Sequence, residues 1–287
     1  YTPSRVGLIV LTMTAGTAFI MWIGELISQR GVGNGMSLII FASIVSQLPS
    51  QFGSSYQVTA GQGRVGQFVF LMVMFILMIV GIIYVEQGQR RIPIQFAKRV
   101  RGRKVMGGQS TYIPLKVNSA GVIPVIFATS ILFFPALVAT SLPQDNNVTA
   151  AIRNWIDINL ANSQGTTWFY VFFLGILIIF FTYFYTTIQF DPVRQSDMIR
   201  RQGGFIPGVR PGISTTNYLS HIINRITLPG SVFLASVAVL PSIASVIWDI
   251  PLGFSGISIL ITVGVALETM KQIESQLSMR NYEGFID

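Results

Sequence analysis

The stretch QGQRRIPIQFAKRVRGRKV at Gln87 to Val105 gathers Arg90, Arg91, Lys98, Arg99, Arg101, Arg103 and Lys104 in a chain otherwise poor in charge. Guanidinium and ammonium groups at that density bind phosphate. Such contacts need positive charge and donors but no base readout, so a structured RNA would be held through its backbone. A topological role competes, because basic residues beside membrane spans fix orientation and touch anionic lipid. That alternative suffices for a few arginines at a span end. It suits a long extended loop less well, since several charges then stand farther from the bilayer than a screening length. Composition by itself leaves both readings standing.

Other chemistry is scarce. The chain has no cysteine and one histidine, His221, and neither HEXXH nor GXSXG occurs, so metalloprotease and hydrolase chemistry lack visible residues. No metal site or cofactor is implied. Glu25, Glu86 and Glu268 fall near the ends of apolar runs, where solvation explains them. There is no arginine ladder for a voltage sensor and no carboxylate chain for a proton relay. An apolar interior broken by small and polar residues remains. In RGVGNGMSLIIF at Arg30–Phe41, Asn34 precedes a short helical pattern, with a helix cap and a place beside a pore as its two readings. Met36 and Ile40 lie four apart on one helix face, a spacing that ordinary packing also produces. AGVIPVIFATSILFFP at Ala120–Pro135 frames a helix between Pro124 and Pro135, which suits a span that bends.

The elements that must position these groups are membrane spans. Hydrophobic residues make up 51% of the 287 and charged ones 10%, far from a typical soluble domain. A bilayer core of about 30 Å takes about 20 apolar helical residues to cross. Seven runs qualify as candidates: Val6–Gly24, Met36–Leu48, Phe68–Val85, Val122–Leu142, Trp168–Ile188, Thr227–Trp248 and Gly256–Leu267, the last continuing toward Lys271. The second and seventh are short, and are expected to be tilted, kinked or shielded at their ends. The expected fold class is an all-α multi-pass membrane protein.

Basic residues gather on alternate connections: Arg30; Arg90 through Lys116; Arg194, Arg200, Arg201, Arg210 and Arg225; then Lys271 and Arg280. The opposite set holds Arg5, Arg64 and Arg153. Lys and Arg collect in cytoplasmic loops, which puts residue 1 outside and the C-terminus in the cytoplasm. An outside start without a signal peptide points to an N-terminal truncation. Two large cytoplasmic loops, 86–121 and 189–226, and a tail, 269–287, follow. In the first loop Ile92, Ile94 and Phe96 alternate as in a strand, RGR at Arg101–Arg103 supplies a turn, and Val105 to Val117 returns as an irregular arm with Pro114 at an edge. In the second, GGFIPGVRPG at Gly203–Gly212 is a turn with Arg210 at its tip.

Taken together, IGELISQRGVGNGMSLIIFASIV, VEQGQRRIPIQFAKR, STYIPLKVNSAGVIPVIFATSILFFP, GGFIPGVRPG and RNYEGFI closely resemble the SecY family of protein-conducting channels, in its bacterial form, in order from Ile23 to Ile286. The resemblance implies ten spans in two pseudo-symmetric halves, of which this chain would carry the fourth to tenth: residues 1–67 ending the first half and 68–287 forming the second. Three spans, including those bearing the plug and half of the lateral gate, would be absent, so a complete channel is not expected from this chain alone.

Residue by residue, the resemblance implies an apolar ring at the bilayer midplane that dewets when empty and closes around a passing chain, with Met36, Ile40, Ile126 and Ile261 as members. Met36 replaces the usual branched aliphatic and makes the seal softer. Asn34 matches a polar position beside the gate, and Ser130 and Phe134 match lateral-gate positions tied to signal-sequence recognition. Arg90 and Arg91 match positions that meet ribosomal RNA, and Arg210 matches the arginine tied to motor-driven export. The implied partners are the SecE and SecG subunits, the SecA ATPase, the ribosome, secretory and membrane polypeptides with signal sequences, and the lipid bilayer of the plasma membrane. Two rivals stay open: a secondary transporter, which would need polar ligands inside the spans, and a pore-free ribosome receptor, in which Ile126 and Ile261 only pack.

Overall fold

A computed structural model describes residues 3–31, 33–96, 99–101, 104–106, 110–141, 147–160, 167–248 and 255–283. Among these, α1 (Pro3–Arg30), α2 (Gly35–Gly61) and α3 (Val65–Gln87) lead into strands β1 (Gln89–Phe96), β2 (Arg99–Arg101), β3 (Lys104–Met106) and β4 (Ser110–Lys116). Then come α4 (Ile123–Ser141), α5 (Asn147–Asn159), α6 (Trp168–Gln189), α7 (Pro192–Arg201), β5 (Gly204–Phe205), α8 (Ile213–Trp248) and α9 (Gly256–Glu283). Among the described residues six helices are long and apolar enough to cross a membrane, and the apolar stretch Ile123–Ala139 of α4 sits at the short end of the spanning range. The all-α multi-pass architecture expected from composition is what forms.

The two runs read as short are parts of long helices. α2 continues past Pro49 to Gly61, and α9 runs 28 residues from Gly256. The apolar pattern stops early because both helices carry on with polar residues, SQLPSQ in α2 and ETMKQ in α9, that keep the backbone helical without supplying hydropathy. α8 departs furthest from its expected bounds. Its 36 residues give a rod of about 54 Å, well beyond a core of about 30 Å. The expected loop therefore ends at Gly212, and helix replaces its last stretch, Ile213 to Ile226.

Among the described residues, packing divides into two clusters. The larger takes Leu71, Met74, Met78 and Ile82 from α3, Val125, Ala128 and Leu132 from α4, Leu174 and Ile178 from α6, Leu234 to Ala244 from α8, and Ile259 to Leu267 from α9. Within lipid such helices gain little from the hydrophobic effect, so close van der Waals fit carries the association. The smaller cluster lies where α8 overshoots the span length: Ile92 and Ile94 of β1, Leu115 of β4, Ile199 of α7, Ile206, and Leu219 and Ile222 of α8. It joins both basic loops into one body, since β1 pairs with β4 on one side and with β5 on the other. The two basic loops consequently share one end of the bundle, as the charge bias requires.

The register explains where the prolines are tolerated. Val117 N–H donates to Gly88 O at 3.0 Å, so the even-numbered residues of β1 make the hydrogen-bonded pairs. Pro93 opposite Tyr112 and Pro114 opposite Arg91 fall in the other class, where a missing N–H costs the ladder nothing. β4 is an edge strand, as Pro114 suggests, and the arm expected to be irregular is paired strand. Leu219 is fully buried in the small cluster. Leu219→Ala is expected to cost about 2–5 kcal/mol, as for other buried leucine truncations. Faster amide exchange in Gln89–Phe96, with α3 and α6 unchanged, is the corresponding readout.

Candidate functional site

At the basic end, Arg90 and Arg91 are adjacent on β1 and therefore point to opposite faces of the sheet. Arg91 lies over the Tyr112 ring, 4.9 Å from its centroid, a cation–π contact that holds the guanidinium on the outer face. Arg90 shares the parity of buried Ile92 and Ile94 but stands exposed at the strand's beginning. β2 and β3 pair antiparallel, Arg99 opposite Met106 and Arg101 opposite Lys104, while Gly102 and Arg103 of the expected RGR turn lie outside the described residues. Lys98 and Arg103 lie outside the described residues, as do the side chains of Arg99, Arg101 and Lys104.

The second loop is fastened to the same body. Asp191 caps α7 by accepting from Val193 N at 2.9 Å, and Pro192 opens the helix. Buried Ser196 donates to Gly212 O at 3.0 Å, and Thr215 Oγ1 donates to Arg210 O at 2.9 Å. Gly208 and Gly212 have φ of 81° and 113°, values that admit the reversal around Arg210 only because these residues lack a Cβ. Arg210 is exposed on a backbone tied down from both sides. It also stands near the N-terminus of α8, where the helix dipole opposes a cation. A basic residue there is not explained by stability.

Within the bundle, Ile126, Ser130 and Phe134 share one stripe of α4 at i, i+4 and i+8, opposite the buried stripe of Val125, Ala128 and Leu132. Ile126 and Phe134 are 47% and 65% exposed, and the Ser130 hydroxyl donates to Ile126 O at 2.7 Å. Met36 and Ile40 form a second exposed stripe on α2, and Ile261 on α9 is half-buried beside fully packed Leu260. α2 packs on α1, α3 and α9, whereas α4 packs on α5, α6 and α8. The stripes thus stand on separately packed helices. Asn34 is the cap of α2, its Oδ1 accepting from Met36 N at 3.1 Å and Ser37 N at 3.4 Å.

The sequence model of the SecY family matches residues 3–270. The chain belongs to the SecY family. It is 50% identical over 283 residues to the protein translocase subunit SecY of Streptomyces scabiei, covering 96% of this chain and 62% of that protein. It is 46% identical over 286 residues to the SecY subunit of Mycobacterium bovis, covering 97% and 63%. The chain thus spans about 62–63% of the length of these relatives. Two solved structures share the fold. A SecY protein described with its plug domain and membrane seal superposes with a TM-score of 0.62 at 21% identity, over 96% of this chain and 67% of that one. A protein-conducting channel superposes with a TM-score of 0.60 at 19% identity, over 96% and 66%.

Three features of this SecY chain escaped the sequence reading. The first is α5, whose Ile152, Trp155 and Ile158 are exposed while Arg153 pairs with Asp157 at 3.7 Å. Trp155 meets Phe169 edge-on at 5.6 Å, which fixes α5 beside the start of α6. It has the make-up of a helix lying along a membrane interface. The second is α7, announced by the Asp191–Pro192 pair, a start signal that was readable. The third is the base of the hairpin. Glu86, read as merely solvated, is half-buried and accepts from Asn118 Nδ2 at 3.1 Å. Nothing in their spacing along the chain, 32 residues apart, announces that pair.

Proposed function

We propose that this chain is the larger part of the central pore subunit of a protein translocase, conducting unfolded polypeptides across the plasma membrane and releasing membrane segments sideways. Residues 1–67 complete a first half and 68–287 form the second. The observation that carries the reading is the pair of exposed, uncharged stripes, Met36 with Ile40 on α2 and Ile126 with Ser130 and Phe134 on α4, helices packed against different partners. A wall of this kind offers a passing chain no fixed ligand. Dewetting of the apolar constriction keeps ions out when the channel is empty, and the same side chains close around a passing chain. Met36, Ile40, Ile126 and Ile261 form this side of the seal, and Ser130 and Phe134 the edge that opens toward lipid.

Energy comes from partners at the basic end, which faces the cytoplasm: the SecA motor or a translating ribosome, with SecE and SecG as companion subunits. Arg90, Arg91, the basic residues Lys98, Arg99, Arg101, Arg103 and Lys104, and Arg210 dock them. Because Arg90 and Arg91 occupy opposite faces, they engage different phosphates. Reversing both with Arg90→Glu and Arg91→Glu should weaken ribosome binding and lower the salt slope of log K by about 1.4 to 1.8 for two lost contacts. Titration of ribosomes at several salt concentrations checks this, and an unchanged slope leaves only the topological role. The pore itself is tested by crosslinking a stalled secretory chain to probes at Met36, Ile40 and Ile126 in the full-length protein. Adducts are expected; their absence at all three positions selects a pore-free receptor.

A further inference from the structure

We infer that Gly24 is a positioning residue that seats the Met36 side chain, and through it sets one member of the constriction; the inference rests on the pore reading above. α1 and α2 cross almost in contact. Gly24 is the buried residue of α1, and Gly35 is buried at the start of α2. Ser28 ties the crossing together, its hydroxyl donating to Gly24 O at 3.0 Å and accepting from Gly35 N at 2.8 Å. Asn34 holds the next residue, accepting from Met36 N at 3.1 Å. The backbone of Met36 is therefore fixed from two directions, and only its side chain is left to choose a place.

That place is the surface of Gly24. A Cβ built on Gly24 would stand 2.5 Å from Met36 Sδ and 3.0 Å from its Cγ. The thioether occupies the volume that any other residue at position 24 would fill. Met36 is nevertheless 38% exposed, so displacement would carry it outward onto the open stripe it shares with Ile40. Gly35 differs in kind. A Cβ there would fall on the Gly24 carbonyl oxygen and within 2.9 Å of Ile27 Cβ, against backbone that cannot step aside. The two glycines look alike in the sequence but do different jobs: Gly35 permits the crossing, and Gly24 makes the socket. Methionine suits a socket of this sort, because an unbranched chain reaches the groove that a β-branched residue could not follow.

The test uses the full-length protein with its partner subunits in proteoliposomes, read by methyl-methionine NMR and by ion efflux. Gly24→Ala should fold, shift the Met36 methyl resonance assigned through Met36→Leu, leave the other methionines in place and raise ion leak severalfold. In a Met36→Ala background, the same Gly24→Ala change should add no further leak. An unmoved Met36 resonance overturns the inference, and so does leak that adds fully in the Met36→Ala background. Loss of Gly24→Ala protein to the degree seen with Gly35→Ala overturns it as well, because the strain would then sit in the backbone. A displaced resonance with unchanged leak upholds the seating of Met36 and removes Met36 from the constriction, which is a failure of the pore reading alone.

Discussion

Gly256→Ala is expected to prevent α8 and α9 from assembling. A Cβ at Gly256 would fall on the Val237 carbonyl oxygen and within 2.9 Å of Ala238 Cα, all of it backbone of α8. Alanine favours helix over glycine by about 1 kcal/mol, which helps a helix but cannot move a neighbouring main chain. The overpacking cost lies at or above the roughly 3 kcal/mol top of the ordinary range, because no side-chain rotation relieves it. Gly81→Ala is the matched control, since a Cβ there meets Phe233 Cε2 at an ordinary 3.5 Å. Detergent-extracted Gly256→Ala should be aggregated or proteolysed while Gly81→Ala stays monodisperse. Equal behaviour of the two would show that α8 and α9 can part enough to admit a methyl group.

The second large effect concerns the seal. Ile126→Asn places an amide on the exposed α4 stripe, where it costs the fold little because the residue is 47% exposed. In an apolar constriction the same amide hydrogen-bonds water and lowers the barrier that dewetting provides. Ion leak should rise on the order of tenfold, about 1.4 kcal/mol of barrier, and weaker signal sequences should be accepted. Ser130→Ala, one turn along the same stripe, should change leak far less, because that hydroxyl is already satisfied by Ile126 O. Ile261 is a poorer probe, being half-buried against packed neighbours, so a polar substitution there mixes folding with sealing. Normal leak and normal signal selectivity in Ile126→Asn would remove α4 from the channel wall.

Much of the architecture could be read from residue order, and the reasons are physical. Uninterrupted apolar runs such as Phe68–Val85 can satisfy a bilayer in only one way, and α3 spans Val65–Gln87. Alternation of Ile92, Ile94 and Phe96 named a strand because a two-residue period has no helical counterpart, and β1 covers them all. Hydropathy failed where helices leave the apolar layer. The first fourteen residues of α8 from Ile213 to Ile226 read as loop because His221, Asn224 and Arg225 dilute the pattern, although Thr215, Leu219 and Ile222 keep helical spacing. α5 was missed for the same reason, its apolar residues being spread among Arg153, Asn154 and Asp157. Asn34 was legible as a cap. The pairing of Asn118 with Glu86, and the seat of Met36 on Gly24, depend on distant segments meeting, which no local period records.

α8 takes part in both clusters, and the passage between them is short. Ile222 belongs to the body at the basic end and Leu234 to the bundle, with Pro229 and Gly230 between them. Pro229 has no N–H to offer the Arg225 carbonyl, so the rod loses a rung of its ladder there. On the flank, a Cβ at Gly230 would stand 2.6 Å from Val117 O, which means the hairpin's root bears directly on the softened turn. Any load on the sheet would therefore act on a turn of α8 that the sheet itself braces. The missing rung makes this turn the place where α8 bends most easily, and a bend there would swing the sheet and α7 without unpacking either cluster.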